Sequence, residues 1–436
     1  METEVQILVE RTEKEVRIVE TTFSAIPRGY GFLKRQQRDW KVTVARSSLH
    51  VFFYQMVFPY ISVYIMTLGA TGTQLGIVNS IGMGIAGLVS PFTGWLIDRI
   101  GVKRIYLIGI GMLAVSYLTY AIAGSWVIII FAMIAYWLGF TISVHGCTVV
   151  CGNSLANEDR ATGMSLCETF AAGILGIVAP MLGASLVGAF GGVNVNGIRP
   201  LFFISLVGIT GAFFLVLTQL SNRRWRSPDE TKPSFFRDLS EIFKQGHNLK
   251  RWLVIASIGS LPMAMVLPFT QPFAHEVKGA DQYVLGAMVT GFAVAPLVLG
   301  IPIGRLADKI GRKKVLYFTI PLVWASSLML IWAPNSGFLI TAGILQGFIY
   351  VSGVIQGAMS FELVPAEQMG KWMGIIRFFR MLLAAGAAYL AGVVWDNIGP
   401  QYLFLIVIAL DLFIRIPLLI GMPETLGLQM STKSIE

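Results

Sequence analysis

Charge is what this chain has least of: Asp, Glu, Lys and Arg make up only 13% of its 436 residues. An ordinary soluble protein carries about 25%, and a water-soluble fold of this length would need that charge to cover its apolar surface. Cysteine is scarce as well. Its three copies, Cys147, Cys151 and Cys167, are an odd and clustered set that offers no disulfide framework. There is no Walker A lysine loop, so ATP is not the expected energy source. The first 45 residues lack the apolar run of a signal peptide and mix charges of both signs. Together these absences exclude a cytosolic enzyme, a disordered protein and a disulfide-stapled secreted domain. Neither a catalytic set nor a cofactor is expected.

What is present is apolar length. Hydrophobic residues make up 55% of the chain, and the mean hydropathy is +0.69. A helix needs about 20 apolar residues to cross a hydrocarbon core. Twelve such runs follow Lys41: 47–68, 74–97, 105–123, 126–150, 161–188, 200–220, 252–273, 283–307, 315–332, 338–360, 372–394 and 402–422. They are too long for barrel strands and lack the alternation of such strands. The expected fold is an all-α membrane protein of twelve transmembrane helices in two six-helix bundles. Its expected divisions are a tail 1–45, a bundle 46–220, a linker 221–251, a second bundle 252–422 and a tail 423–436. In the linker, Phe235, Phe236, Leu239, Ile242 and Phe243 recur at helical spacing between charges, which predicts an amphipathic helix on the membrane surface.

Basic residues then orient the chain. With the N-terminus inside, the outer connections hold only Arg199 and Lys278, while the inner side holds Arg99, Lys103, Arg104, Arg160, Lys309, Arg312, Lys313, Lys314, Lys371 and the basic linker. That asymmetry predicts cytoplasmic termini in a cell membrane. It also accounts for the net charge of +9 without a nucleic acid partner.

The most specific signal is a repeat. Residues 94–104 read GWLIDRIGVKR and residues 304–314 read GRLADKIGRKK. Both copies sit where an even-numbered span enters a short inner loop, and Glu158–Gly163 and Glu367–Gly374 precede spans five and eleven in the same way. Two halves inserted the same way up follow from that spacing. Asp98 and Asp308 end their helices where the dipole disfavours a carboxylate, so each needs a partner: an adjacent basic residue, or a helix N-terminus in the other half.

The doubled motif, the span count and the mid-chain linker, covering residues 46–422, resemble the major facilitator superfamily. The first copy departs from the pattern at Val102, where a basic residue is usual. The resemblance implies that Gly94, Asp98, Arg99, Gly101, Lys103, Gly304, Asp308, Lys309, Gly311 and Arg312 form an inner latch between halves, with Arg380 as a partner. It also implies that spans one, four, seven and ten line a central cavity. Candidates there are His50, Tyr54, Gln55, Tyr136, Thr141, His145, Ser260, Gln271, Gln346, Tyr350 and Gln356, with Arg377 on span eleven as a possible anion ligand. Aromatics mixed with neutral hydrogen-bonding groups suit a moderately apolar organic solute.

Glu168 is the sole acidic residue inside the first six spans apart from the loop motif, and a desolvated carboxyl suits a proton carrier. Asp411 and Arg415, four apart, predict a self-neutralising pair. His145, Cys147 and Cys151 offer only three ligands on one apolar helix, so no metal is expected. Gly173, Gly176, Pro180 and Gly183 partly resemble the span-five pattern of drug antiporters, with Ala179 and Ala184 replacing glycines. The expectation is a monomeric secondary transporter in the lipid bilayer. It would move a small organic solute by alternating access, with proton coupling, and leans to drug-like efflux. Uptake or uniport of a metabolite or organic anion is the alternative, and a non-transporting receptor or scaffold of the same fold is a third reading.

Overall fold

The computed structural model describes residues 35–155, 174–222, 247–364 and 369–426; within these, the side chains of 93–99, 145–149, 152–153, 174, 247 and 369–371 fall outside the description. All regular structure among the described residues is helical. The first half holds α1 Arg38–Thr67, α2 Gly72–Ile100, α3 Val102–Ile122, α4 Trp126–Ser154, α5 Ile174–Ala189 and α6 Val195–Gln219. The second holds α7 Asn248–Val277, α8 Gln282–Ile310, α9 Arg312–Ile331, α10 Ser336–Glu362, α11 Met369–Asn397 and α12 Pro400–Ile420. Eleven are long and apolar enough to cross a membrane, and the described part of α5 is shorter. The protein is a multi-pass integral membrane protein.

The repeat is visible in the backbone. Gly101, between α2 and α3, has φ 94° and ψ 145°, and Gly311, between α8 and α9, has φ 110° and ψ 145°. Both are left-handed-side conformations that a side chain resists. The two turns mark one end of the molecule, here called the motif end.

Two boundaries differ from the sequence reading. The tail expected to run to residue 45 ends sooner, because α1 begins at Arg38. Trp40 is buried there, and the Asp39 carboxylate accepts from the Ser221 backbone N–H at 2.9 Å and from its hydroxyl. Nor is the segment after 422 a free tail at its start. Glu424 accepts from the Arg312 backbone N–H at 2.9 Å, and Thr425 Oγ1 donates to Glu362 at 2.7 Å. Arg199 lies inside α6, where it donates to the Ala123 carbonyl at 2.6 Å. Linker residues 223–246, with the proposed amphipathic helix, lie outside the described residues.

The halves meet most closely along α2 and α11 at the far end. Small residues permit the approach: a Cβ at Gly76 would lie 2.6 Å from the Ala388 carbonyl, and one at Gly87 would lie 2.7 Å from Met381. The seam ends in a shared cap. Thr71 and Gln74 form a reciprocal capping box at the start of α2, with bonds of 2.9 and 3.3 Å. Asp396 of α11 accepts from the next two donors, Gly72 N at 2.9 Å and Thr73 N at 2.7 Å. All four N–H groups that open α2 are thereby satisfied, two of them by the other half. Tyr60 donates to the Gln282 carbonyl at 2.9 Å and Thr290 to the Ile177 carbonyl at 2.9 Å, joining α1 and α5 to α8.

Asp396→Ala removes two charge-assisted bonds at a partly solvated site, worth about 1–2 kcal/mol together after screening. The expected outcome is a roughly tenfold shift of the closed-to-open equilibrium constant at the far end. It is read as a longer distance between spin labels at Gly124 and Ile398; an unchanged distribution contradicts the role given to this cap.

Candidate functional site

Several residues expected to line a central cavity gather in an aromatic cluster between the halves, whose first wall is built on α1 and α4. Residues four apart share a helix face, so His50, Tyr54 and Phe58 form one row and Tyr136 and Phe140 another. The rows stack: His50 on Tyr54 at 6.2 Å between centroids, Tyr54 on Tyr136 at 5.4 Å with an 18° interplanar angle, and Tyr136 on Phe140 at 6.1 Å. The second wall is Tyr350 of α10, packed 5.1 Å from Phe292 of α8. Tyr350 stands across the gap, near enough for its hydroxyl to interact electrostatically with those of Tyr54 and Tyr136. It keeps 45% of its surface exposed although it sits mid-helix, and Val354, one turn toward the motif end on the same face, keeps 72%. On the far side this cluster is closed over by the α2–α11 seam.

Two further expected residues are buried nearby with unpartnered atoms. Gln55 has no partner for Oε1, and its Nε2 lies 3.8 Å from where a Gly176 Cβ would be. Gln271 also has an unpartnered Oε1. Thr141 is fully buried within α4. The remaining C-half candidates serve the bundle itself. Gln346 Nε2 donates to Thr270 Oγ1 at 2.8 Å, tying α10 to α7, and Ser260 Oγ donates to the Ser257 carbonyl at 2.6 Å. Gln356 donates to the Ser352 carbonyl at 3.3 Å and packs against Gly259, away from the aromatic rows. His145, Glu168, Gly94, Asp98 and Arg99 lie outside the described residues or side chains.

Asp411 and Arg415 are the self-neutralising pair that their spacing suggests, 3.2 Å apart, with Trp324 Nε1 donating to Asp411 at 3.1 Å. They border a cavity of about 10 Å³, room for a single water. Arg415 Nε and Gln356 Oε1 both lack partners there.

At the motif end, Asp308 pairs with Arg312 of its own loop at 2.5 Å, and Arg312 Nε reaches Glu362 at 3.2 Å. The adjacent-base alternative thus describes Asp308 in this conformation, with 58% of its side chain exposed. Lys309 is exposed, and Lys103 Nζ donates to the Leu220 carbonyl at 2.7 Å. No neighbour lies within 4 Å of a Cβ placed on Gly304. Arg380 is not beside Asp308. Its carbonyl accepts from Ser260 Oγ at 3.5 Å, and its charge neighbours are Arg377 and Arg415. Arg377 lies one turn toward the motif end from Met381, on the row that faces α2.

Sequence reasoning missed Phe140 and Phe292, although the four-residue spacing of Tyr136 and Phe140 carried the signal. It also missed Arg46. Arg46 stood at the very edge of the expected bundle 46–220, whereas α1 starting at Arg38 puts it about 12 Å along the helix. No group of three or more His, Cys, Asp or Glu side chains suited to a metal occurs among the described residues.

Two like-oriented bundles around an aromatic cluster, each with the same glycine turn, define a two-domain membrane transporter. The sequence matches the Major Facilitator Superfamily over residues 47–288 and again over 256–425, and the chain belongs to that family. Multidrug resistance protein MdtG of Dickeya zeae (strain Ech586) is 27% identical over 311 residues, 67% of this chain and 72% of that protein. Among solved structures, a variant of the nucleoside transporter NupG superposes with a TM-score of 0.74 at 14% identity, covering 88% of this chain and 99% of that one. A D-xylose-proton symporter gives 0.68 at 13% identity, covering 89% and 98%. At such identities the structures speak for the fold alone.

A cysteine at Tyr350 in a background without the native cysteines is expected to react with a membrane-impermeant maleimide applied to the motif side and to resist it from the far side. Equal labelling from both faces contradicts a cluster closed over at one end.

Proposed function

We propose that this transporter is a secondary active exporter of small organic solutes, driven by protons and working by alternating access. The observation that carries the reading is the cluster of aromatic rings where the two bundles meet, beside a seam that joins them at the far end, as a rocking pair requires. In this reading the motif end is cytoplasmic, in keeping with the basic loops there, and the conformation is inward-open.

The latch supplies the return stroke. Asp308, exposed and paired within its own loop, is free to exchange Arg312 for a helix N-terminus of the other half when the motif end closes, and Gly304 leaves room for that helix. The matching copy at Gly94–Arg104 would act in the same way. Opening the far end separates Asp396 from α2, where water can replace the lost bonds. The two cytoplasmic and extracellular contacts therefore alternate.

Efflux of drug-like molecules is favoured over uptake by two supports. One is the cluster of rings, which matches apolar solutes with modest hydrogen bonding. The other is the likeness to a protein named for multidrug resistance. Proton coupling rests on Glu168 as the carrier. A carboxyl in span five that loses water as the cavity closes binds its proton more tightly, and releases it when rewetted.

Asp308→Asn should lower dye efflux from proteoliposomes at least tenfold while leaving membrane insertion and thermal melting near wild type; unchanged efflux removes the latch. Glu168→Gln should abolish the pH change that accompanies solute movement, and a persisting pH change assigns coupling elsewhere.

A further inference from the structure

Among the described residues the buried charged side chains are Asp39, Arg46, Asp411 and Arg415. Asp411 is bonded to Arg415 and Asp39 to Ser221, which leaves Arg46 without a carboxylate partner among them. A buried charge without a counter-ion is costly in a low-dielectric interior, and membrane proteins keep such charges for function.

Arg46 is the clearest case. Its side chain is 3% exposed, and the guanidinium carbon stands 4.9 Å over the ring of Tyr106. A ring face stabilises a cation but cannot neutralise it. The Nη2 group has no partner, and no carboxylate among the described residues pairs with Arg46. One turn along the same row, His50 is 7% exposed and its Nδ1 is also unpartnered. The next turn is Tyr54, which opens the stack of rings. A polar receptor at one end of a row thus runs directly into an apolar, planar slot.

We propose that the solute is an aromatic organic anion, its acidic group received by Arg46 and His50 and its ring held between Tyr54, Tyr136 and Tyr350. This rests on the transporter reading and names the solute class. Rings alone would welcome a cation, but a cation would meet Arg46 without screening, and a neutral solute would leave Arg46 uncompensated. Rotation of the long Arg46 stem off Tyr106 brings its fork toward the rings, where guanidinium can bind a carboxylate through two parallel bonds. An inside-negative membrane potential then helps an anion leave the cell, the direction proposed above.

The test uses the full chain in lipid nanodiscs and two matched triples: indole-3-acetate, indole-3-acetamide and tryptamine; benzoate, benzamide and benzylamine. Binding is read by thermal shift and by tryptophan fluorescence. The acids should bind about tenfold or more tightly than their amides and amines. Arg46→Gln should reduce the acids to the level of the amides without changing the amides, and Arg46→Lys should restore part of the preference. Equal binding across a triple, preference for the amine, or no binding by either acid overturns the proposal. Flux of a bound acid in proteoliposomes is scored separately: binding without flux removes the transporter reading and leaves the anion site, whereas flux of the amine instead of the acid does the reverse.

Discussion

The structure depends on a seam that must hold and must also part. α2 and α11 approach through glycine and alanine, and the closest contacts set backbone against backbone, as where Gly76 faces the Ala388 carbonyl. Without large side chains to interdigitate, such a seam gains from dispersion and close fit rather than from the hydrophobic effect, which is absent between helices already in lipid. At the rim its polar contacts are those of Asp396 with Gly72 and Thr73, where water can take over either partner. A rim built of buried ion pairs would be far costlier to open, because each separated charge would be left desolvated.

The motif end obeys the same economy by a different route: the polar contacts described there stay within each half. Asp308, Arg312, Glu362, Thr425 and Glu424 form one network inside the second bundle. Lys103 with Leu220, and Asp39 with Ser221, tie down the first. Each half can swing as a body at this end without orphaning a buried donor or acceptor. The positive-φ glycines at 101 and 311 make this possible, since the turn they form directs the next helix back beside the chain's own bundle.

Span number, the doubled turn and the Asp411–Arg415 pair were legible in the sequence because each is local: apolar length, an eleven-residue spacing, and an i,i+4 relation. The far-end cap was not, because Asp396 and Thr71 are far apart in sequence and nothing near Asp396 marks its partner. Glu424 was read as tail for the same reason. Arg46 was not singled out because the span was read from residue 47, a boundary a few residues late, which left a charge of the bundle interior at its edge. Gln346 and Gln356 were polar at membrane depth, as a solute ligand would be, but composition cannot tell a side chain that faces a cavity from one that holds two helices together.

Gln346 braces α7, the most irregular of the described helices. It carries Pro262, Pro268 and Pro272, and two π-helical turns, Pro262–Val266 and Phe273–Val277. Each proline withdraws a donor, and the freed carbonyls need other partners at a depth where water is scarce. Thr270 Oγ1 donates to the Val266 carbonyl at 2.9 Å and in turn accepts from Gln346 at 2.8 Å, so α10 braces the bend of α7. The N-half wall shows no π turn among its described residues and is set by stacked rings on two regular helices. The two walls of the cluster therefore differ in kind. One offers a fixed surface for recognition, while the other places helix irregularity, with its alternative hydrogen-bond registers, beside the same space. Filling that space against the rigid wall would be felt first by the helix whose backbone has registers to exchange.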